Sequence, residues 1–374
     1  MLAFLLLAVV AGSLVYCVLT VIAAGNYGAV RPQPPEDWPP ISVLKPLAGV
    51  DLDLEENLRT FFEQRYPRYE LLFAVRAADD PAVAVAEHLR AAFPAVPSRL
   101  IVTGEPPYPN AKVYSLDCMF AAASYDLLVM ADSDVRVTPE LLATLAAEFQ
   151  EEKVGLLTCP YRAVPGPGFW SRLEAIGLNT EFLSGVLVAR LLEGMRFALG
   201  PTIAARRQTL VDIGAFHALR EYLAEDFVMG QRAAELGWRV LLSSYVIEHH
   251  IGGQPFAANM RHRLRWNRST RRSRPWGYVG QLFTNPLPPA LLFVAAVPVW
   301  WPVLVVTAAF RALAAWSAAG RVLRDPLLRQ YWWLVPLQDL ASMTLWLAGF
   351  FGTTILWRGR KYQLLRDGRF RLVS

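Results

Sequence analysis

The chain has 374 residues, of which 54% are hydrophobic and 18% are charged, and its mean hydropathy is +0.28. This composition is too apolar for an ordinary soluble protein and too charged for a bundle made only of membrane spans. It favours one soluble domain joined to several membrane segments, while the formal net charge of +5 excludes little by itself.

An uncharged apolar stretch opens the chain at residues 1–24 and is long enough to cross about 30 Å of hydrocarbon as a helix. It lacks the basic n-region of a signal peptide and its apolar run is long, so we expect a retained anchor. Residues 25–40 predict a stiff, extended linker because of their prolines, which are Pro32, Pro34, Pro35, Pro39 and Pro40.

Over residues 41–250, short apolar runs alternate with amphipathic stretches. Strands are predicted at Ile41–Leu44, Leu71–Val75, Leu100–Val102 and Leu127–Met130, with helices between them. This alternation predicts an α/β fold of the Rossmann-like type, in which a mostly parallel sheet is covered on both faces. Ligands of such sheets bind outside the carboxyl ends of the strands.

Local signals mark the helix starts of this domain. Asp53-x-x-Glu56 predicts a capping box, and Asp80-Pro81 predicts an N-cap followed by the first helical residue. Another helix is predicted to start near Asn110, and a further one runs from Phe227 to Leu236, ended by Gly237.

The C-terminal part is basic and apolar. Residues 251–284 include seven arginines between Arg261 and Arg274, and no acidic residue occurs between Glu248 and Asp325. Such a block suits an anionic membrane surface or a phosphate ligand. A nucleic-acid partner is not expected, because no nucleic-acid-binding motif accompanies the arginines.

Residues 285–357 form a predicted membrane region. Two spans are expected at Leu287–Phe310 and Tyr331–Trp357, and Ala312–Gly320 as a third, short piece is the alternative. Asp339 inside the second span would cost about 3 kcal/mol facing lipid, so we expect it to face a partner helix or cavity. The tail at 358–374 has six basic residues against Asp367. Positive-inside bias therefore predicts a multi-pass protein with tail and catalytic domain in the cytosol.

Asp132-Ser133-Asp134 follows a predicted buried strand. Two carboxylates at i and i+2 just past a strand end can reach one divalent cation and the diphosphate that it bridges. The alternative is a solvated turn, or negative charge at the start of the helix that Thr138-Pro139 begins.

Other polar residues allow two interpretations each. Asp80 fits a helix N-cap and also an acceptor for the imide N–H of uracil, and its two oxygens make these roles compatible. Lys112 is either a solvated surface lysine or a positive charge directed at a diphosphate. Asp226 stands in a first helical turn, where the helix dipole lowers a carboxyl pKa, so it would serve as a base only if burial compensates.

The remaining candidates lie nearer the C-terminus. Arg263-Leu264-Arg265-Trp266 is either a juxtamembrane basic cluster or a set that binds a leaving diphosphate and floors an acceptor site. His249 and His250 are adjacent on a strand and point to opposite faces, so one of them at most is expected as a third metal ligand. The three cysteines are expected to be free thiols without a zinc site.

Taken in order, these motifs resemble the ceramide glucosyltransferases, glycosyltransferase family 21. The resemblance is carried by Ser42–Asp51, Asp79-Asp80-Pro81-Ala82, Asn110-Ala111-Lys112, Asp132-Ser133-Asp134, Ala224–Phe227, Arg265-Trp266 and Trp357–Tyr362. It implies a GT-A fold with N- and C-terminal transmembrane helices, and an inverting transfer of one sugar, glucose in this family, from a UDP-sugar to a membrane lipid.

The resemblance also implies roles for individual residues. Lys45, Asp80, Lys112, Asp132 and Asp134 would bind the nucleotide sugar, with Asp132 and Asp134 also holding Mg²⁺ or Mn²⁺. Asp226 would be the general base on the acceptor hydroxyl. Arg265 and Trp266 would complete the acceptor and leaving-group side, within the 251–284 segment.

The chain departs from the family pattern at one position. His262 occupies the first place of the family's Q/R-x-x-R-W pattern, so a polar contact there is in doubt. The apolar stretch Pro165–Leu199 is expected to border the acceptor site, and hopanoid glycosyltransferases that transfer N-acetylglucosamine share the same framework. A processive polysaccharide synthase would need more spans, and a catalytically inactive nucleotide- or lipid-binding module would be expected to have lost some of these residues.

Overall fold

The computed structural model describes residues 1–28, 37–357 and 360–373. Two compact units make up the chain. The sheet unit comprises Arg31–Tyr161, Met195–His250 and Gly368–Ser374, and the helical unit comprises Met1–Val30, Arg162–Gly194 and Ile251–Asp367. Residues 29–36, which are half of the linker predicted at 25–40, and the Arg358-Gly359 pair of the last motif lie outside the described residues.

The strands of the described residues are β1 (Ile41–Pro46), β2 (Tyr69–Val75), β3 (Ser98–Val102), β4 (Leu127–Ala131), β5 (Val135–Arg136), β6 (Val154–Thr158), β7 (Tyr161–Pro165), β8 (Thr202–Arg206), β9 (Arg239–Leu242), β10 (Ile247–Ile251), β11 (Thr354–Trp357), β12 (Arg360–Leu364) and β13 (Phe370–Leu372). The α-helices are α1 (Leu2–Gly28), α2 (Leu54–Phe62), α3 (Ala82–Ala92), α4 (Ala111–Ala122), α5 (Leu141–Glu148), α6 (Phe169–Gly177), α7 (Leu183–Glu193), α8 (Arg207–Asp212), α9 (Glu225–Glu235), α10 (Phe256–Ser273), α11 (Pro275–Gly280), α12 (Leu287–Ala296), α13 (Trp301–Ala315), α14 (Pro326–Tyr331) and α15 (Leu334–Gly349).

A seven-stranded sheet forms the core of the sheet unit, in the order β3-β2-β1-β4-β8-β6-β9. Its β3, β2, β1 and β4 strands are mutually parallel and β6 is parallel to β9, whereas β8 runs antiparallel to both of its neighbours. The side chains of β2 and β4 are buried along their whole length, as a sheet covered on both faces requires. The predicted α/β fold with a mostly parallel sheet is confirmed.

The helix start predicted near Asn110 is confirmed, since α4 begins at Ala111. The Asn110 side chain accepts a hydrogen bond from the Val113 N–H at 3.2 Å, which makes it an N-cap. The predicted capping box at Asp53 is wrong. Asp53 adopts a left-handed conformation with φ of 59°, and its side chain makes no capping hydrogen bond. Its carboxylate lies instead 3.6 Å from the guanidinium of Arg136, a partner distant in sequence.

The helical unit contains the apolar segments. Among the described residues, three helices are long and apolar enough to cross a membrane, namely Leu2–Gly28, Phe169–Glu193 and Pro298–Val322. The bent pair Pro275–Phe283 and Leu287–Ala296, with an angle of 53°, makes a fourth if it is one broken span. Phe169–Glu193 lies within the catalytic domain predicted at 41–250, yet Arg162–Gly194 belongs to the helical unit.

The C-terminal helices differ from the two predicted spans. Leu287–Phe310 is interrupted where α12 ends, because Pro298 starts a 3₁₀ turn, and α13 then continues through a π-helical segment to Val322. The second predicted span contains α15, whose 16 residues cover about 24 Å, and ends in strand β11.

Asp339 of α15 pairs with Arg311 of α13. The Arg311 Nη2 and Nε atoms lie 2.9 and 3.0 Å from Asp339 Oδ1, and both side chains are almost fully buried. Arg311 Nη2 also lies 3.3 Å from the Thr180 hydroxyl, which belongs to the π-helical segment Leu178–Phe182. The expectation that Asp339 faces a partner helix is confirmed.

Two residues of the arginine block bind the turn that follows α15. Arg268 donates hydrogen bonds to the Phe351 and Thr354 carbonyls at 3.1 and 2.6 Å, and Arg271 donates to the Gly352 carbonyl at 2.9 Å. Positive charge at a helix C-terminus satisfies free carbonyls and complements the helix dipole. These two arginines are therefore committed to the fold of the helical unit.

Candidate active site

The candidate site lies at the carboxyl edge of the parallel strands in the sheet unit. The Asp132–Asp134 loop leaves the end of β4, and the Asp132 N–H donates to the Pro201 carbonyl just before β8, at 3.0 Å. The α9 N-terminus lines the same pocket through Glu225 and Asp226. The pocket is also lined by Lys112 and Gly200, and its apolar lining residues include Pro46, Leu116, Met130, Ile203 and Met229. This is the edge where ligands of α/β sheets bind.

Lys112 holds two carboxylates of the pocket together. Its Nζ lies 2.7 Å from Asp132 Oδ1 and 3.4 Å from Glu225 Oε1. Burial alone would lower the pKa of Lys112, but these two carboxylates outweigh burial and hold it above its usual range. Lys112 is therefore a fixed positive charge, rather than a solvated surface lysine.

Asp134 has one oxygen bound and one oxygen open. Oδ2 lies 3.1 Å from Nε2 of His249, whereas Oδ1 is buried and has no hydrogen-bond partner within the described residues. Burial alone would raise the pKa of Asp134, but His249 holds it below its usual range, so it is ionised.

An ionised, buried carboxylate oxygen without a donor is a ligand that a hard divalent cation prefers. Asp134 thus fits a cation site in its chemistry, whereas Oδ1 of Asp132 is paired with Lys112. In the described part of the chain, no group of three or more His, Cys, Asp and Glu side chains is arranged to hold a metal ion. A cation at this pair would therefore take further oxygen ligands from phosphate or water, as Mg²⁺ commonly does.

Asp226 combines burial with a negative neighbour. Burial and the Glu225 carboxylate raise the pKa of Asp226 to about 7, and Lys112 opposes this rise. The N–H of Phe227 donates to Asp226 Oδ1 at 2.8 Å and orients the carboxylate. A base at this position needs burial to offset the lowering of its pKa by the helix dipole, and Asp226 is buried in this way. A carboxylate with a pKa near 7 is matched to general-base chemistry at neutral pH.

Two glycines make room for Asp226. A Cβ on Gly200 would lie 2.9 Å from Asp226 Oδ2, and a Cβ on Gly230 would lie 2.3 Å from the backbone carbonyl carbon of Phe197. Gly230 therefore lets α9 pack directly on the chain before β8, which sets the position of the helix N-terminus that carries Asp226.

Lys45 lies near the end of β1, and Asp80 lies just before α3. Lys45 is fully buried, and its Nζ donates to the Asp132 carbonyl at 2.7 Å and lies 3.7 Å from the Phe61 ring centroid. Burial lowers the pKa of Lys45 to about 7, against the effect of Asp132 and Asp134. Asp80 accepts the N–H of Gly49 at 3.0 Å and the N–H of Ala82 at 2.9 Å. Contacts of Lys45 and Asp80 with a nucleotide sugar stay predictions.

Arg265 and Trp266 lie on α10 of the helical unit, and both are half-buried. The Trp266 ring packs on the His262 ring, with centroids 4.6 Å apart. Their roles on the acceptor and leaving-group side stay predictions.

Sequence reasoning missed Glu225 and Gly200 as site residues. Glu225 contacts Lys112, and it also lies 3.4 Å from Nδ2 of the Asn110 N-cap, so it links α4 to α9. Its place beside Asp226 in the Ala224–Phe227 motif was an available signal. No sequence signal marked Gly200, because the need for a glycine there depends on how close the chain before β8 comes to α9.

Several known proteins are similar to this chain. The sequence model of Glycosyl transferase family 21 matches residues 3–370. Ceramide glucosyltransferase 1 of Caenorhabditis elegans is 29% identical over 215 residues, which are 57% of this chain and 46% of that protein. Ceramide glucosyltransferase 3 of the same organism is 27% identical over 246 residues, 64% of this chain and 53% of that protein. The chain thus spans about half the length of these curated relatives.

Among solved structures, a mannosyltransferase from Pyrobaculum calidifontis in complex with GDP-mannose and Mn²⁺ is similar with a TM-score of 0.56 and 17% identity. The match covers 93% of this chain and 99% of that one, and at this identity it concerns the fold alone. The family model, in contrast, spans nearly the whole chain. The chain therefore belongs to glycosyl transferase family 21, as its resemblance to the ceramide glucosyltransferases predicted.

Proposed function

We propose that this chain transfers one sugar from a UDP-sugar to a hydroxyl group of a membrane lipid, with inversion at the anomeric carbon. Glucose and ceramide are the first sugar and acceptor to test, since the similar C. elegans proteins are named ceramide glucosyltransferases. The observation that carries the proposal is Asp226, whose pKa of about 7 and position beside Lys112 and Asp132 suit a base in a nucleotide-sugar pocket.

In this proposal Asp226 removes the proton from the acceptor hydroxyl. The acceptor oxygen forms a bond to the anomeric carbon, the bond from that carbon to the UDP oxygen breaks, and UDP leaves with the electron pair. An inverting transfer needs one base behind the acceptor oxygen and positive charge at the leaving group. Lys112 provides a buried positive charge in the same pocket as Asp226.

Asp132 and Asp134 would hold Mg²⁺ or Mn²⁺, which would neutralise charge on the diphosphate when bound. Lys45 would keep the Asp132–Asp134 loop in place through its bond to the Asp132 carbonyl. Asp80 would face the nucleotide.

By the family pattern, Arg265 and Trp266 would serve the leaving group and the lipid. The apolar helices of the helical unit favour a multi-pass membrane protein. The basic tail favours a cytosolic catalytic domain.

The test is product identification by mass spectrometry. The full chain in lipid nanodiscs is incubated with UDP-glucose, UDP-galactose or UDP-N-acetylglucosamine, each against ceramide and a hopanoid alcohol, with Mn²⁺ present. The proposal expects a monoglycosylated ceramide from UDP-glucose. A hopanoid product carrying N-acetylglucosamine would instead assign UDP-N-acetylglucosamine as the donor and the hopanoid as the acceptor. No product with any pair, despite UDP-sugar binding, would indicate a binding module and contradict the proposal.

A further inference from the structure

A buried carboxylate in the helical unit is hydrogen-bonded to the helix that carries Trp266. Glu174 of α6 is 5% exposed, and its Oε1 lies 3.2 Å from Nδ1 of His262 on α10. Its Oε2 accepts a hydrogen bond from the Asn259 side chain, which is also buried. Both oxygens of the carboxylate are therefore bound by residues of one helix.

These contacts fix α10 against α6. Asn259 and His262 are three residues apart, so they lie on one face of α10, one turn from each other. A buried carboxylate that loses its donors is costly, so rotation or sliding of α10 away from Glu174 is opposed. Near the start of both helices, the rings of Trp170 and Phe256 pack with centroids 4.6 Å apart and add an apolar contact.

The same contact sets the orientation of the His262 ring. With the Glu174 oxygen as the acceptor, the N–H at Nδ1 of His262 is the donor of this bond. Trp266 follows one turn later, and its ring lies against His262 with centroids 4.6 Å apart and an interplanar angle of 57°. A contact thus runs from Glu174 through His262 to Trp266.

We propose that Glu174 and His262 are positioning residues that hold Trp266 for the lipid acceptor. This inference rests on the proposed function, in which Trp266 lies on the acceptor side. It also resolves the departure at His262. Gln or Arg at this place of the Q/R-x-x-R-W pattern is a hydrogen-bond donor, and His262 keeps a donor there, with Glu174 as the acceptor.

The test compares His262→Leu, which removes the donor, with His262→Gln, which restores the family residue. Arg261→Leu is the matched control, because Arg261 is the exposed neighbour on α10. Initial rates in nanodiscs are measured against the lipid acceptor and, separately, against the UDP-sugar, and thermal unfolding checks that each variant is folded.

His262→Leu is expected to lower kcat/KM for the lipid by about tenfold, as loss of one buried hydrogen bond predicts. KM for the UDP-sugar should stay unchanged, and His262→Gln and Arg261→Leu should keep wild-type rates. Glu174→Gln should lower the rate in the wild-type background but not further in His262→Leu.

Wild-type kinetics in His262→Leu would overturn the inference, as would an equal loss in His262→Gln or a parallel rise in KM for the UDP-sugar. A wild-type protein that glycosylates no lipid would overturn the proposed function and the inference together. An active wild type with insensitive variants would overturn the inference alone.

Discussion

The pH dependence of transfer follows from the environment of Asp226. The base must be ionised, and burial together with Glu225 raises its pKa to about 7. At pH 6 about one tenth of Asp226 is then ionised, so kcat/KM should be about tenfold lower than on its plateau above pH 8. An ordinary aspartate, with a pKa of about 3.9, would give no such loss above pH 5.

The acid limb of the pH–rate profile is the range in which the rate falls as Asp226 becomes protonated. Substitutions of the neighbours of Asp226 should move this limb in both directions. Glu225→Gln removes a negative charge that raises the pKa of Asp226, so the acid limb should move to lower pH. Lys112→Met removes a positive charge that lowers that pKa, so the limb should move to higher pH, together with weaker binding of the UDP-sugar.

The assay is the initial rate of lipid glycosylation at subsaturating acceptor, from pH 5 to 9 in one mixed buffer of constant ionic strength. Opposite shifts in the two variants are the expected signature, since a general loss of structure would lower the plateau without moving the limb. A wild-type limb near pH 4, or a shift of Glu225→Gln to higher pH, would refute the assignment of Asp226 as the base.

Three further predictions concern the pocket and the helical unit. Gly230→Ala should displace α9 and lower kcat by about tenfold or more, whereas Gly252→Ala, whose added Cβ would meet nothing within 4 Å, should leave the rate unchanged in the same assay. Chelation of divalent cations should stop transfer, and Asp134→Asn should raise the Mn²⁺ concentration for half-maximal rate; full activity in excess chelator would contradict the cation site. Arg311→Met should destabilise the fold by about 3–5 kcal/mol because it leaves Asp339 buried and unpaired. The double variant Arg311→Met/Asp339→Leu should recover most of the loss in thermal unfolding, and no recovery would contradict this account of the pair.

The strands and one cap of the sheet unit were predictable because their signals are local. Apolar runs located β1, β2, β3 and β4 to within a few residues, and Asn110 caps its helix as predicted. The capping box at Asp53 failed because a local pattern cannot show that Arg136, far along the chain, lies near its carboxylate.

The sequence predicted which residues line the pocket, but not which side chains form ion pairs within it. Asp132, Lys112 and Asp226 were identified as separate motifs, yet the sequence could not place Lys112 between Asp132 and Glu225. The raised pKa of Asp226 depends on burial, which arises from the close approach of α9 to the chain before β8 at Gly230.

The apolar stretch Pro165–Leu199 was expected to border the acceptor site, and the helix Phe169–Glu193 within it was not predicted as a membrane span. In the structure, Glu174 and Glu181 of this segment accept hydrogen bonds from Asn259 and Asn285. Charged residues that are paired inside a helical bundle are compatible with a membrane segment. The pairing partners lie far along the chain, so composition could not reveal them.

The role of Asp226 as the base is tested most directly by measuring transfer and UDP-sugar binding side by side in the wild type and Asp226→Asn. Transfer should fall by at least about 10²-fold while the Kd for the UDP-sugar stays unchanged. Because the folded-state pKa of Asp226 lies above that of the unfolded chain, its ionised form weakens the fold at pH 8, so Asp226→Asn should also have a higher Tm at pH 8 than the wild type, and an equal Tm near pH 4. Transfer at the wild-type rate in Asp226→Asn, with the variant folded and the donor bound, would contradict this role.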